Sequence, residues 1–280
     1  MQVINSIAQL QETLSAARAQ GKSIGLVPTM GALHAGHASL VRRSVGENDI
    51  TVVSIFLNPT QFNDPKDLER YPRTLDSDCA VLEECGAQIA FAPSVKEIYP
   101  EPDTRQFSYP PTDTVMEGAR RPGHFNGVCQ IVSKLFMMTD PDRAYFGEKD
   151  YQQIAVIRRM VADMGFRVEI VPCPVIREES GLAMSSRNTL LAPEEKAIAP
   201  NIYRILKEST SMNLTVTDTE KWVIDQINAI PGLEVEYYNI VDGVTLADVT
   251  AWDEAPSIVG CITVYCGKTP IRLIDHIRYK

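Results

Sequence analysis

Apolar runs alternate with amphipathic stretches over the first 175 positions of the chain. Five short runs rich in apolar and β-branched residues have the length expected of buried strands: Ile24–Val27, Ile50–Leu57, Gln88–Ala92, Arg143–Phe146 and Phe166–Val171. Apolar residues at helical spacing fill the segments between them. This alternation predicts a Rossmann-like, doubly wound parallel sheet of the α/β class.

The helical pattern is most regular in five segments. They are Ile4–Ala19, Ala38–Val45, a helix capped by Thr74 that continues to Cys85, Val128–Phe136 and Tyr151–Met164. Prolines interrupt residues 93–111, which we expect to be irregular because proline lacks a backbone N–H.

The pattern changes after Pro172–Pro174. Helical spacing returns in Pro193–Ser209 and Thr217–Ile230, the second with Thr217 or Asp218 as its N-cap. Three β-like runs follow, namely Leu233–Val241, Ser257–Tyr265 and Ile271–Ile274. Helices followed by strands, without β-α alternation, indicate a small α+β unit. We therefore predict a larger domain over residues 1–175 and a C-terminal α+β lid domain over residues 176–280.

Composition narrows the class of protein. The chain has 280 residues, of which 44% are hydrophobic and 22% charged, and a net charge of −9 that argues against a broad nucleic-acid surface. The N-terminus lacks the pattern of a signal peptide, and no apolar run is long enough to span a membrane. The six cysteines form no Cys-x-x-Cys pair, so reduced thiols are expected. These features predict a cytoplasmic enzyme.

One strand-to-helix turn is rich in glycine and histidine. The segment Val27-Pro-Thr-Met-Gly-Ala-Leu-His-Ala-Gly-His37 lies where α/β sheets bind nucleotides. Gly31 and Gly36 allow the backbone to approach a ligand closely. His34 and His37 share one helical face, beside the free N–H groups and positive dipole end of a helix start. We therefore predict an anion site suited to a polyphosphate.

A His-x-x-His pair can also ligate zinc or lie on an ordinary surface. Zinc needs further ligands, and the only other histidines are His124 and His276, with no cysteine close in sequence. The context Thr-Met-Gly-x-Leu-His-x-Gly-His instead favours phosphate binding. It resembles the His-x-Gly-His signature of the nucleotidylyltransferase and class I aminoacyl-tRNA synthetase superfamily.

Four further motifs accompany the histidine turn. They are Ser54-Ile-Phe-Leu-Asn-Pro-Thr-Gln-Phe62, Glu117-Gly-Ala-Arg-Arg-Pro-Gly-His-Phe125, Phe146-Gly-Glu-Lys-Asp-Tyr-Gln-Gln153 and Met184-Ser-Ser-Arg-Asn188. Met184–Arg187 is similar to the Lys-Met-Ser-Lys-Ser loop of class I synthetases. In order and spacing, and over essentially the whole length, the motifs resemble the pantoate–β-alanine ligase family.

The resemblance implies an ATP-dependent condensation of (R)-pantoate with β-alanine. The pantoate carboxylate attacks the α-phosphate of ATP, diphosphate leaves, and pantoyl adenylate remains. The β-alanine amine then attacks the acyl carbon and releases AMP and pantothenate. Mg²⁺ on the ATP phosphates and a homodimer are implied in the same way, whereas nucleic-acid and membrane partners are not expected.

Several residue types fit this chemistry. Because a carboxylate is already a nucleophile, the site has to align two anions and stabilise charge on the phosphates. The expected catalytic donors are His34, His37, Lys149, Ser185, Ser186 and Arg187. The expected ATP-binding residues are Met30, Gly31, Ala32, Leu33, His34, Ala35, Gly36, His37, Gly147, Glu148, Lys149, Asp150, Ile176, Met184, Ser185, Ser186 and Arg187. By resemblance, Asp150 faces the ribose and Ile176 lies by the adenine.

Neutral amides are the expected contacts of the acid substrate. Gln61 and Gln153 can hydrogen-bond pantoate without adding charge, and we expect them at the pantoate and β-alanine site. Asp76 and Asp78 are candidate metal ligands or plain solvated acids. His124 is a candidate cap of the Val128–Phe136 helix. The sequence assigns no role to Arg120 and Arg121.

Three other functions fit parts of the pattern. A simple nucleotidylyltransferase would keep the adenylate as its product and would not need Gln61 and Gln153. A tRNA synthetase is disfavoured by the negative charge and by the absence of an anticodon-sized appendage. A nucleotide sensor would bind ATP without releasing diphosphate, and would not need His37, Lys149 and Arg187.

Overall fold

A computed structural model describes residues 1–62, 68–69 and 71–280. Its larger sheet consists of the parallel strands β1 (Gln2–Ile4), β2 (Ile24–Thr29), β3 (Ile50–Ile55), β4 (Ile89–Phe91), β5 (Arg143–Gly147) and β6 (Glu169–Cys173). The spatial order is β1-β4-β3-β2-β5-β6. From β2 the chain adds β3 and β4 on one side, and β5 and β6 then follow on the other side, so the strand order reverses between β2 and β5. These two strands pair in parallel, with Gly25 opposite Arg143 and Leu26 opposite Ala144. This reversal is the switch point at which open α/β sheets bind ligands.

Helices cover both faces of this sheet. They are α1 (Ile7–Ala19), α2 (Ala35–Glu47), α3 (Leu75–Cys85), α4 (Val95–Ile98), α5 (Met116–Arg120), α6 (His124–Thr139) and α7 (Tyr151–Met164). Leu26 and Val52 belong to one buried cluster, and their neighbours Val27 and Val53 belong to another. Because successive strand residues point to opposite faces, the sheet has a core on each side.

The C-terminal part has a second, smaller sheet. After α8 (Pro193–Ile198), α9 (Asn201–Ser209) and α10 (Val216–Asn228), the strands β7 (Leu233–Asp242), β8 (Ile258–Cys266) and β9 (Ile271–Arg278) form an antiparallel sheet in that order. The helices and this sheet share their own apolar cluster. The predicted fold class is therefore confirmed, while the division of the chain at residue 175 remains a prediction.

One strand was missed and one predicted helix boundary was wrong at the N-terminus. The edge strand β1 was not predicted, because three residues are too few to set a period, and it pairs with β4 from Gln2 opposite Ile89. The helix expected from Ile4 begins only at Ile7. Ser6 caps it by accepting a hydrogen bond from the Gln9 N–H (3.4 Å).

Other boundaries differ for local reasons. The helix predicted over Pro193–Ser209 is divided at Pro200, which has no N–H to continue the first segment. The N-cap of α10 is Thr215, whose hydroxyl accepts the Asp218 N–H (3.1 Å). Ser94 caps α4, so residues 93–111 are not wholly irregular. Thr74 precedes α3 but makes no side-chain cap.

No helix within the described ranges is both long and apolar enough to cross a membrane. All six cysteines are free thiols, as expected for the reduced state.

Candidate active site

Two strand-to-helix turns face one cleft at the switch point. The first follows β2 and leads into α2, and we call residues 30–37 the histidine turn. The second follows β5, where a short 3₁₀ helix over Glu148–Asp150 leads into α7, and we call residues 147–153 the lysine turn. Side chains from both turns line a cavity of about 220 Å³.

Hydrogen bonds fix the tautomers of both histidines. His34 is the N-cap of α2, and its Nδ1 accepts the Gly36 N–H (3.1 Å). His37 Nδ1 accepts the His34 N–H (3.3 Å). Because each Nδ1 acts as an acceptor, each neutral ring carries its proton on Nε2. Two Nε2–H donors therefore remain for a ligand in the cleft.

Burial keeps both rings neutral. Desolvation, together with the nearby charge of Lys149, lowers the pKa of His34 to about 4. Desolvation, His34 and Lys149 lower the pKa of His37 to about 3. The rings lie 4.1 Å apart, centroid to centroid. At neutral pH the pair therefore offers N–H donors without a positive charge.

Gly36 also leaves room for the ring of His34. A Cβ at this position would lie 2.8 Å from Cε1 of His34. A side chain here would thus push the capping imidazole away. The backbone N–H groups of residues 34 and 36, which we expected to be free for an anion, already donate to the two imidazoles.

Asp78 holds the first half of the histidine turn. Its carboxylate accepts the backbone N–H groups of Ala32 (3.0 Å) and Leu33 (2.8 Å), and it also contacts the Thr74 hydroxyl (3.2 Å). Only 2% of Asp78 is exposed, whereas Asp76 lies on the surface. No group of three or more His, Cys, Asp or Glu side chains in the described residues could hold a metal ion. A metal role for Asp76 and Asp78 stays a prediction.

The lysine turn carries side chains without partners. Lys149 and Gln153 both line the cleft, and neither side chain hydrogen-bonds to any residue in the described part of the chain. Within those same residues, the Lys149 ammonium also forms no ion pair. Asp150 is exposed at the same edge. An ammonium and an amide thus remain available for ligands.

A loop from the C-terminal part closes a third side. Ser185 caps a short 3₁₀ helix by accepting the Arg187 N–H (3.3 Å). Asn188 anchors this loop, since its Nδ2 donates to Glu178 Oε1 (2.8 Å) and to the Ala183 carbonyl (3.1 Å). Ile176 is 36% exposed although apolar, and it lines the cleft.

Asn58, which we had not placed in the site, orients Gln61. Its Nδ2 donates to Gln61 Oε1 and to the Gly127 carbonyl, each at 3.1 Å. The Asn58 Oδ1 accepts the Tyr99 hydroxyl (2.9 Å). Because Oε1 of Gln61 is used in this way, its Nε2 donor lies on the cleft side, 3.1 Å from Met30 Sδ. The polar strand end 54–62 was the sequence signal for this pair.

The cleft also has an apolar wall that sequence reasoning missed. Helix α6 supplies most of it, and its members are Val128, Ile131, Val132 and Leu135, with Phe56 from the end of β3. A strongly apolar helix was predicted here, but its period could not show which face meets a ligand.

Most of the predicted site residues line this one cleft. They are Met30, His34, Gly36, His37, Gln61, Gly147, Lys149, Asp150, Gln153, Ile176, Met184, Ser185, Ser186 and Arg187. Gly31, Ala32, Leu33, Ala35 and Glu148 do not line it.

Four of the five residues outside the cleft wall make contacts that hold the turns or join them to other parts of the chain. The Gly31 N–H donates to the Thr29 hydroxyl (3.2 Å), and its φ of +84° suits glycine. Ala32 and Leu33 donate to Asp78. Glu148 lies 3.4 Å from a guanidinium nitrogen of Arg278.

Comparison with known proteins gives a consistent set of relatives. The profile of the family described as pantoate-beta-alanine ligase matches residues 2–278. Pantothenate synthetases of Bacteroides thetaiotaomicron and Bacteroides fragilis are 62% and 64% identical to the chain, over 100% of it and 99% of each relative. These matches include the C-terminal sheet.

Solved structures agree. A pantothenate synthetase from Thermus thermophilus superposes with a TM-score of 0.93 at 41% identity, over 100% of this chain and 99% of that one. A pantoate-beta-alanine ligase from Francisella tularensis, described as complexed with beta-gamma ATP and beta-alanine, gives a TM-score of 0.84 at 36% identity, over 100% and 98%.

Proposed function

The chain belongs to the pantoate–β-alanine ligase family, and from that premise we propose how its cleft works. It is an ATP-dependent ligase that condenses (R)-pantoate with β-alanine to give pantothenate, AMP and diphosphate. One observation supports the roles that we assign to the residues. Neutral histidine donors, the Lys149 ammonium and two glutamine amides near an apolar wall all face the same cleft.

ATP binds across the two turns and the 184–187 loop. Ile176 contacts the adenine and Asp150 the ribose. The Nε2–H groups of His34 and His37 donate to the phosphates, and Lys149 and Arg187 supply positive charge. Ser185 and Ser186 add hydroxyl donors. Mg²⁺ would be held by the ATP phosphates, beside Lys149 and Arg187, and would offset part of their negative charge.

Pantoate binds beside the α-phosphate. Its hydroxyl and carboxylate groups face Gln61 and Gln153, and its dimethyl carbon packs against the apolar wall of α6. The pocket is neutral where the acid lies, so the carboxylate keeps its nucleophilicity. A cation there would stabilise the ground state as well, which does not help the reaction.

The first step forms pantoyl adenylate. A carboxylate oxygen attacks the α-phosphorus, the bond from that phosphorus to the bridging oxygen breaks, and diphosphate leaves with the electron pair. Negative charge on the phosphate oxygens rises in the transition state. The preorganised donors of the histidine turn stabilise it without having to reorganise.

The second step forms the amide. β-Alanine, having given one proton to solvent, attacks the acyl carbon with its amine lone pair. The new C–N bond forms, the bond from the acyl carbon to the phosphate oxygen breaks, and AMP leaves with that electron pair. The nitrogen then gives a second proton to solvent, which leaves pantothenate.

Product analysis tests this function. With ATP, Mg²⁺, (R)-pantoate and β-alanine, the purified chain should release AMP and pantothenate in equal amounts. A stable adenylyl product in the presence of β-alanine would identify a simple nucleotidylyltransferase. Release of ADP would exclude an adenylate intermediate. From the family we also propose a homodimer and a cytoplasmic location, which gel filtration with light scattering and cell fractionation can test.

A further inference from the structure

The turn that follows β3 is held from behind the cleft. Asn58 and Gln61 both line the cleft, whereas Tyr99, the residue after α4, lies behind them and does not line it. The Tyr99 hydroxyl donates to Asn58 Oδ1 at 2.9 Å. A residue outside the cleft thus reaches, through one amide, the side chain that we place against pantoate.

We propose that Tyr99 is a positioning residue for the acid substrate. Through the Asn58 amide, its hydroxyl fixes the Gln61 side chain with the Nε2–H donor toward the cleft. The inference rests on the proposed function and deepens it, because it extends the pantoate site to a residue that touches no substrate.

The neighbours of Asn58 decide which way its amide faces. The Gly127 carbonyl can only accept a hydrogen bond, so the Asn58 atom 3.1 Å from it is Nδ2. The Thr60 N–H can only donate, which places Oδ1 on its side at 3.4 Å. Nδ2 also donates to Gln61 Oε1 at 3.1 Å. If Gln61 turned its Nε2 toward Asn58, two N–H donors would face each other, so Nε2 points to the cleft instead.

Tyr99 is the closest donor to the Asn58 carbonyl oxygen. Asn58 is only 1% exposed, so this oxygen depends on donors from the protein. The Tyr99 hydroxyl lies at 2.9 Å, the Thr60 hydroxyl at 3.1 Å and the Thr60 N–H at 3.4 Å. Burial raises the pKa of Tyr99, so the phenol keeps its proton and remains a donor at neutral pH. Without it, the buried amide would keep only its two longer contacts, and the Gln61 amide would be held less firmly.

Packing fixes Tyr99 itself. Its ring lies 6.2 Å from the ring of Phe56, centroid to centroid, and the Lys134 ammonium lies 5.2 Å from the centroid of the Tyr99 ring. The Tyr99 backbone N–H donates to the Val95 carbonyl (2.8 Å) at the end of α4. The hydroxyl is therefore held beside Asn58.

The backbone of Gln61 is fixed separately, against α6. A Cβ on Gly127 would lie 2.7 Å from the Gln61 backbone nitrogen, so glycine lets the turn pack closely on the helix. His124 Nδ1 lies 2.9 Å from the Gln61 carbonyl, which can only accept, and therefore donates to it. Burial lowers the pKa of His124 to about 4, so the ring is neutral, and it does not cap α6. Only the side-chain amide of Gln61 thus depends on Asn58.

A double-mutant cycle separates positioning from a general structural role. We would measure kcat/KM for pantoate by ATP–diphosphate exchange in Tyr99→Phe, in Gln61→Ala and in the protein with both changes, together with the KM for ATP. Tyr109→Phe is the matched control. Tyr109 is also buried, and its hydroxyl donates to Asp163 (3.1 Å), and neither residue lines the cleft.

Tyr99→Phe should lower kcat/KM for pantoate about 2–10-fold, the range for one net hydrogen bond. The loss should come mainly from a higher KM for pantoate, and the KM for ATP should stay near the wild-type value. In the Gln61→Ala background, the same change should have almost no further effect, because the side chain that Tyr99 positions is gone. Tyr109→Phe should lower the melting temperature and leave kcat/KM for pantoate unchanged.

An equal loss in the wild-type and Gln61→Ala backgrounds would overturn the proposal, because Tyr99 would then act independently of Gln61. No loss in Tyr99→Phe, or the same loss in Tyr109→Phe, would overturn it too. If Tyr99→Phe does not fold, Thr60→Val removes another donor to the same oxygen and is tested in the same cycle. Absence of pantoate-dependent exchange in the wild type would instead refute the proposed function, so the two failures are distinct.

Discussion

The two turns that face the cleft differ in how their polar groups are satisfied. In the histidine turn, both imidazoles accept backbone N–H groups, and Asp78 accepts those of Ala32 and Leu33. In the lysine turn, Lys149 and Gln153 make no hydrogen bond with the described residues. The first turn is therefore built before a ligand arrives, and the second keeps its donors for ligands.

This difference assigns separate tasks to the turns. Fixed neutral donors act best on charge that develops in the transition state, because they need not reorganise. A lysine ammonium is a mobile point charge, and it adds attraction for a polyphosphate wherever the phosphates lie. We infer that the histidine turn stabilises charge that develops during adenylation and that the lysine turn supplies positive charge and an amide to the bound substrates.

His37→Ala should have the largest effect. It removes an Nε2–H donor placed for the phosphates, so turnover should fall about 10²–10³-fold. It also removes the acceptor of the His34 N–H, which should cost about 1 kcal/mol of stability as for a lost helix cap. Steady-state kinetics and thermal unfolding would measure the two effects. Turnover within a few-fold of the wild type would mean that the histidine turn is only structural.

Lys149→Ala should suppress adenylate formation by about 10²-fold, since it removes charge from the phosphates. The half-reactions can be separated by supplying pantoyl adenylate with β-alanine, for which the variant should work at a rate much nearer the wild type. Lys207→Ala, on the exposed side of α9, is the matched control. An equal loss in both assays would show that the ammonium acts at the acyl centre or supports the fold.

Adjacent glutamines on α7 should separate binding from stability. Gln152 is 5% exposed, accepts the Glu117 N–H and donates to the Thr112 and Val115 carbonyls. Gln152→Ala should lower the free energy of unfolding by about 2–4 kcal/mol, because it leaves buried groups unpaired. Gln153→Ala should instead raise the KM for pantoate about 10-fold, because it removes one or two hydrogen bonds to this substrate. The affinity for ATP should not change.

A charged variant sharpens the same comparison. Gln153→Glu should slow exchange more than Gln153→Ala, because a second carboxylate repels the first. Calorimetry for ATP and exchange rates for pantoate provide the measurements. The neutral pocket is refuted if ATP affinity collapses in Gln153→Ala or if Gln153→Glu exchanges at the wild-type rate.

The smallest expected effect concerns pH and His124. Its pKa falls from 6.5 in the unfolded chain to about 4 in the fold, so only the unfolded state gains this proton between those values. The stability that depends on it is complete above pH 6.5 and is lost as the pH falls toward 4. Compared with His124→Gln, the wild type should lose up to about 1.4 kcal/mol more per pH unit in this window. Denaturant titrations at several pH values would measure the free energy of unfolding of both proteins. The same pH dependence in both would contradict the lowered pKa of His124.

The local parts of the site could be predicted from the sequence. The histidine turn and the lysine turn each lie within a few residues of a strongly apolar strand, and the sequence pattern alone predicts a strand-to-helix turn at both. Local spacing suffices for this because the carboxyl end of a parallel strand fixes where the turn emerges.

Partners distant in sequence could not be predicted in the same way. Asp78 lies 46 residues from Ala32, and the carboxylate of Glu117 meets Arg272 from 155 residues away. Periodicity cannot show such pairs, since they depend on how helices and the second sheet pack. The role of Asp78 was missed for this reason.

The most direct test of the central claim is ATP–diphosphate exchange in the absence of β-alanine. The claim is that the two turns and the glutamine pair complete adenylation on their own, before the second substrate binds. With ATP, Mg²⁺ and labelled diphosphate, we predict exchange only when pantoate is present, and its loss in His37→Ala and Lys149→Ala. Exchange without pantoate, or exchange that starts only after β-alanine is added, would contradict this account.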